Sequence, residues 1–282
     1  MIIQLSNHNS TVKINTLGAE LVSFYNNGRN YIWAIDEKFW NKTSPVLFPI
    51  VGRLKNDEYT FSGNRYQLPR HGFARNHEFE ISSQTEKSVT FSLKESEGTL
   101  FVYPFLFELK IQYTLKDSQL EIAYSVINNS NTIMPFSLGA HPAFKIDSDF
   151  EDYSLLFEKD DVLVNHELEN ENFNGKTVAV PLKNHQLPLS YSLFEKDAIV
   201  LKKINSKKVT LIRQNVPYLA LDFKEFPNLG IWTKPEAPFL CIEPWCGFAD
   251  NTNTNGIILN KEGIIKLQPN EAFTTSFSII IL

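Results

Sequence analysis

Two alternating runs, joined by Lys116-Asp117-Ser118, constrain this chain more than any other feature. Phe107, Leu109, Ile111, Tyr113 and Leu115 alternate with Glu108, Lys110, Gln112 and Thr114. Leu120, Ile122, Tyr124 and Val126 repeat the pattern between Gln119 and Ile127. A period of two gathers the apolar side chains of a strand on one face, whereas a helix would scatter them. The two runs are therefore expected to form an antiparallel hairpin.

The pattern recurs along the chain. Tyr59-Thr60-Phe61 and Arg65–Leu68 flank Ser62-Gly63-Asn64, a turn suited to positive φ. Val89–Lys94, Val209–Arg213, Leu219–Phe223, Phe239–Glu243 and Ala272–Leu282 read as further strands. Helical signal is sparse, with one turn expected around Asp36–Asn41 and another near Ser192–Lys196. The polar run Asn251–Asn255 reads as a loop, because a strand pattern resumes after it. No linker or repeat divides the chain, so residues 1–282 read as one domain. Its expected class is all-β, a large antiparallel sandwich with few short helices. The composition supplies such a core: 43% of residues are hydrophobic and 22 are Phe, a type favoured in sheets.

A net charge of −5 argues against a nucleic-acid or anionic-membrane surface. Cys241 and Cys246 are the only cysteines, and a lone C-x4-C pair suits neither a zinc site nor a disulfide framework. No metal and no cofactor are expected. The start, Met1–Asn7, lacks the basic and apolar regions of a signal peptide, and Phe277–Leu282 is too short to cross a bilayer. A cytoplasmic protein, monomeric or homodimeric, is the expectation.

Three polar segments interrupt the strand pattern. The first runs from Phe48-Pro49-Ile50-Val51-Gly52-Arg53 to Arg70-His71-Gly72-Phe73-Ala74-Arg75. The second is Phe136–Phe144, which contains His141-Pro142. The third is Cys241–Asp250, which contains Glu243-Pro244-Trp245. The two arginines and the histidine of Arg70–Arg75 either line a site for an oxygen-rich ligand or pair with acids such as Asp57, Glu58 and Glu78. His141 reads either as a core histidine or, because Pro142 interrupts the strand, as one facing a cavity. Glu243 lies among Phe239, Trp245 and Phe248, where desolvation would raise its pKa towards that of a general base, unless an arginine pairs with it. Sugars stack their C–H faces on aromatic rings while their hydroxyls seek charged partners, so Arg53, Arg75, both histidines, Glu243 and Trp232 together suit a carbohydrate. His8, His77, His166 and His185 lie in polar contexts and are assigned to solvent.

On these motifs, from Asn15–Leu21 to Leu267–Glu271, the chain resembles the aldose 1-epimerase (galactose mutarotase-like) family. The resemblance is nearest to the branch associated with lactose operons. Its strongest carriers are Arg70–Arg75, His141–Phe144, Gly230–Pro235 and Glu243-Pro244-Trp245. The resemblance implies a β-supersandwich that interconverts the α and β anomers of a hexose. By carry-over, Glu243 takes the proton of the anomeric hydroxyl and His141 protonates the ring oxygen. His71 and Arg53 would bind the sugar, and Trp232 would wall the pocket. Two departures stand out. Pro142-Ala143-Phe144 replaces the Tyr- and Asn-rich run of galactose mutarotases, and the family's sugar-contacting aspartate has only Asp222 offered for it.

Arg75 also resembles an arginine of the hexose-6-phosphate 1-epimerase branch, where it would suit a phosphate. A third reading, a non-catalytic carbohydrate-binding protein, shares the sandwich architecture. A matched acid and base argue against pure binding. A glycosidase would ordinarily need two facing carboxylates, and one good candidate is present.

Overall fold

A computed structural model describes residues 1–282. The expected hairpin forms, with Phe107–Lys116 against Gln119–Asn128 and Leu109 opposite Val126. It sits inside a nine-stranded antiparallel sheet. Its order runs from Glu80–Gln84 and Ser88–Lys94 through the hairpin to Ala272–Ile281, Val216–Asp222, Lys208–Arg213, Tyr153–Phe157 and Gln186–Pro188. The last strand thus lies between elements distant in sequence, pairing with both Gln119–Asn128 and Val216–Asp222.

A second sheet runs Asn172–Pro181, Val162–Glu169, Ile199–Leu201, Asn228–Trp232, Phe239–Cys246, Leu138–Ala140 and Val46–Leu47, with Ala143–Lys145 also on Phe239–Cys246. The two sheets share one core. Ile231 and Ile242 of the second join Ile122, Leu221 and Ile279 of the first in a single buried cluster. Phe48, beside the second sheet's edge, packs on Phe107 of the first with ring centroids 5.2 Å apart. A four-stranded sheet of residues 2–30 adds Leu5, Val12 and Phe24 to that cluster. The Tyr113 hydroxyl anchors it by donating to Ala19 O at 2.7 Å. No helix is long and apolar enough to cross a membrane.

The minor elements differ from expectation. Asp36–Asn41 is not helical but a turn, in which Trp40 N–H donates to Asp36 O at 2.9 Å and an isolated bridge closes it. The turn near Ser192–Lys196 is a 3-10 turn at Tyr191–Phe194. The α-helix is Glu97–Val102, started by a Ser96–Thr99 capping box. Six residues leave too short a run for helical periodicity to show. The strand expected at Phe239–Glu243 runs on to Cys246, through Pro244. Of the four histidines assigned to solvent, only His8 is exposed; His77, His166 and His185 are half-buried. His77 Nδ1 is 2.9 Å from Phe73 O and His185 Nδ1 2.9 Å from Asp160 O, so each has a local backbone partner.

Candidate active site

The second sheet buries one face in the core and carries a cleft on the other. Strand alternation decides which residues face it. Ile231 and Ile242 point to the core, so Trp232, Cys241, Glu243 and Trp245 point to the cleft. Leu138–Ala140 pairs Gly139 with Trp245, and Ala143–Lys145 pairs Ala143 with Cys241. Continuing that register across the break places His141 opposite Glu243. The missing ladder donor of Pro244 falls at this same break, where Pro142 O accepts from Ile242 N–H instead. Two prolines thus open the ladder of a central strand at the one point where two side chains must meet.

His141 Nε2 and Glu243 Oε2 are 3.2 Å apart, with the side chains 9% and 2% exposed. Burial, assisted by the charge of Arg70, holds the His141 pKa down to about 3. Burial pushes the Glu243 carboxyl well up, against the opposing influence of Arg70 and the Trp245 indole. Both shifts oppose charging, so the resting pair is a neutral imidazole beside a protonated carboxyl, with one proton between the two groups. Their 3.2 Å approach is not aligned as a hydrogen bond, so Glu243 Oε2, like His141 Nδ1 and Trp245 Nε1, is buried without a hydrogen-bond partner. Such orphaned atoms are uncommon and call for a functional reason. The Cys241 thiol lies within 4.8 Å of the same pair, a His–Cys–Glu donor set, but burial raises its pKa and disfavours the thiolate that a metal would need.

His71 reaches the cleft from a loop that has positive φ at two successive residues, His71 at 66° and Gly72 at 69°. Only glycine fits the second position. A Cβ there would lie 2.3 Å from Phe48 O, whose carbonyl accepts from Phe73 and Ala74 N–H. His71 Nδ1 accepts from Gly52 N–H at 3.1 Å, so its neutral ring carries the proton on Nε2. Burial and the nearby arginines push its pKa well down, which keeps it a neutral donor. Trp40 and Trp232 wall the site, with Trp40 5.0 Å and Trp232 5.7 Å from the His141 ring by centroids.

The cavity between these groups is about 190 Å³. That is below the range for drug-sized ligands and fits a molecule of one ring. His141, Glu243, His71, Arg75 and Trp232 all line it. Arg53 does not. Its neighbour Gly52 forms the wall, while the Arg53 guanidinium holds Asp57 through two hydrogen bonds and Glu171 through a third. Asp222 lies in the other sheet, opposite Lys208 and Ser278. Asp250 of the third segment is buried on Lys261 at 3.0 Å, away from the cavity.

The aspartate that does line the cavity is Asp197, joined there by Arg70, Glu171, Trp40, Phe173 and Trp245. Arg70 and Trp245 stood inside motifs already recognised. Asp197, in Glu195-Lys196-Asp197, and Glu171, in Glu169-Asn170-Glu171, stand in polar stretches whose sequence carries no signal that sets them apart. The alternatives for Arg70–Arg75 resolve in an unexpected way. Arg70 both lines the cavity and pairs with Glu171, an acid remote in sequence. Arg75 lines it with no carboxylate partner, donating instead to Arg70 O at 2.8 Å.

The chain is similar to known proteins in sequence and fold. The family described as Aldose 1-epimerase matches residues 1–278. Protein LacX (plasmid) of Lactococcus lactis subsp. lactis is 35% identical over 298 aligned residues, covering the whole of both chains. A galactose mutarotase related enzyme from Lactobacillus acidophilus superposes with a TM-score of 0.95 at 34% identity, over 100% of this chain and 97% of the other. A galactose mutarotase-like protein from Lactobacillus casei gives 0.95 at 30% identity over the whole of both. With its antiparallel sheets, its cleft and these relatives, the chain belongs to the aldose 1-epimerase family, and it is a carbohydrate isomerase.

Proposed function

We propose that the protein is a mutarotase of a free hexose, with Glu243 as base and His141 as acid. The contact between His141 and Glu243 at the floor of a one-ring cavity carries the reading. In a cyclic hemiacetal the anomeric oxygen and the ring oxygen are bonded to the same carbon. A base for one and an acid for the other must therefore stand side by side.

With the sugar bound, the pair's one proton passes from Glu243 to His141 across their 3.2 Å contact. Glu243 then takes the proton of the anomeric hydroxyl as His141 delivers one to the ring oxygen, and the bond from the anomeric carbon to the ring oxygen breaks. The free aldehyde turns about its C1–C2 bond and is attacked on its other face, with both protons returned. The pair holds one proton before and after, so neither a metal nor a covalent intermediate enters the balance. His71 Nε2–H donates to the ring oxygen or a neighbouring hydroxyl, Asp197 accepts from hydroxyls, and Trp40 and Trp232 cover the apolar face of the sugar. Positioned proton transfers contribute ~10²–10⁴-fold each, and orientation of the bound ring adds to this. Two free, buried cysteines suit a reducing cytoplasm as its place of action.

Polarimetry of fresh α-glucose and α-galactose tests the proposal. Wild type should speed the approach to optical equilibrium, and Glu243→Gln or His141→Asn should each lose at least ~10²-fold. If wild type matches buffer but binds the sugar, the non-catalytic reading replaces it. A second reading, a hexose 6-phosphate as substrate, draws support from Arg75, a cavity-lining guanidinium without a carboxylate partner. A phosphate preference that disappears in Arg75→Ala would favour it.

A further inference from the structure

The cleft brings together two guanidinium groups, Arg70 and Arg75, and a carboxylate, Glu171, that reaches Arg70 from another element. Glu171 stands at the tip of the hairpin formed by Val162–Glu169 and Asn172–Pro181. Asn170 and Glu171 have φ of 50° and 65°. Positive φ at both residues is the type I′ turn that a two-residue hairpin loop requires, and it fixes where the Glu171 side chain leaves the tip. The hairpin is pinned beside the cleft to the segments at Arg53 and Asp250. Asn172 Nδ2 donates to Arg53 O at 3.0 Å, Phe173 N–H to Asp250 O at 2.8 Å, and Thr252 N–H to Phe173 O at 2.9 Å.

From this pinned position Glu171 gives one oxygen to Arg70 and the other to Arg53, and Arg53 is itself held by Asp57. The carboxylate thus satisfies the arginine that lines the cavity, in the place a substrate anion would take. Arg75 beside it makes no ion pair and donates to Arg70 O.

The geometry points to Glu171 as a specificity-determining residue that occupies the anion position at Arg70 and biases the cleft towards neutral hexoses over phosphorylated ones. A phosphate arriving at Arg70 and Arg75 must displace Glu171 from Arg70 or accept its like charge, whereas a neutral hydroxyl faces neither demand. With the carboxylate neutralised, the two guanidinium groups become a matched pair for a phosphate. This inference rests on the hexose-mutarotase reading of the cleft, and the measurement that tests it does not require turnover.

The test is calorimetric titration of inorganic phosphate and of glucose 6-phosphate into wild type, Glu171→Gln, and Glu171→Gln combined with Arg70→Ala. Glu171→Gln keeps the shape of a half-buried side chain at the hairpin tip. It is expected to bind both anions at least ~10-fold tighter than wild type, the scale of one charge-assisted pair. The gain should shrink with added salt and vanish in the double variant. In polarimetry the ratio of kcat/KM for glucose 6-phosphate to that for glucose should rise by a similar factor. Anion affinity unchanged in Glu171→Gln, or a gain that survives Arg70→Ala, overturns the inference. A wild type silent in polarimetry would instead sink the mutarotase reading and leave the binding result legible.

Discussion

A carboxyl and an imidazole in contact inside a sheet titrate as one unit, and the pair has a signature in stability as well as in rate. Burial raises Glu243 and lowers His141, so the folded pair keeps one proton where the separate groups would exchange two. In the unfolded chain they titrate near 4.5 and 6.5. Between these values the unfolded pair also carries one proton, and the two contributions cancel. Above 6.5 the unfolded pair has lost its proton while the folded pair holds one. Stability then falls as pH rises, by up to ~1.4 kcal/mol per pH unit, until the raised Glu243 ionises. Below 4.5 the unfolded pair holds two protons against one, so stability falls as pH drops towards the lowered His141 value. Urea unfolding across this range should show the alkaline slope in wild type and its loss in Glu243→Gln; equal slopes would exclude a shared proton. In polarimetry kcat/KM should show no acid limb near the ordinary histidine value of 6.5. Both residues stood out in the sequence, as ionisable groups among aromatics, proline and glycine. Their contact did not, because it depends on a register between strands about a hundred residues apart.

Among the elements, the strands beneath the cleft are shaped to hold one ring. Trp245 lies flat between Gly139 and Gly230 on its two neighbouring strands. A Cβ at Gly139 would lie 2.7 Å from the indole, and one at Gly230 would lie 2.6 Å from it. Gly230→Ala should therefore tilt the indole into the cavity, lowering kcat/KM by roughly 10-fold and shifting the tryptophan emission while the protein remains folded. Adding Trp245→Phe, which has a smaller ring, should restore part of the loss; no recovery would place the effect in the backbone. Gly72→Ala belongs to another class. It combines a φ of 69° with a 2.3 Å approach to Phe48 O, and should cost about 2–4 kcal/mol in denaturant unfolding. Hairpins such as Phe107–Asn128 were legible because pattern and turn are adjacent in sequence. The hairpin tip at Asn170–Glu171 was not, since a polar turn reads the same whether it meets water or an arginine from another element.

For the whole molecule, the main buried cluster extends from Ile3 to Ile281 and takes in both large sheets, and the two smaller clusters, around Trp245 and around Phe239, lie on the cleft side of the second sheet. We expect a single unfolding transition, seen together by far-UV circular dichroism and by tryptophan emission; separated transitions would indicate two units. Emission is a good probe of the cleft, because Trp40, Trp232 and Trp245 line it and Trp33 Nε1–H donates to Trp40 O at 3.4 Å. By itself the sequence determined the strand class, the main hairpins, the family and three residues that line the cavity, His71, His141 and Glu243. Those features are encoded in local alternation and in short motifs, which do not depend on distant pairing. Only the tertiary structure decided that Arg53 faces Asp57 and Glu171 rather than the cavity, that Asp197 and not Asp222 lines it, and that Glu171 answers Arg70. A charged side chain in a loop takes its partner from whichever element the fold brings near, and no periodicity along the chain records that choice.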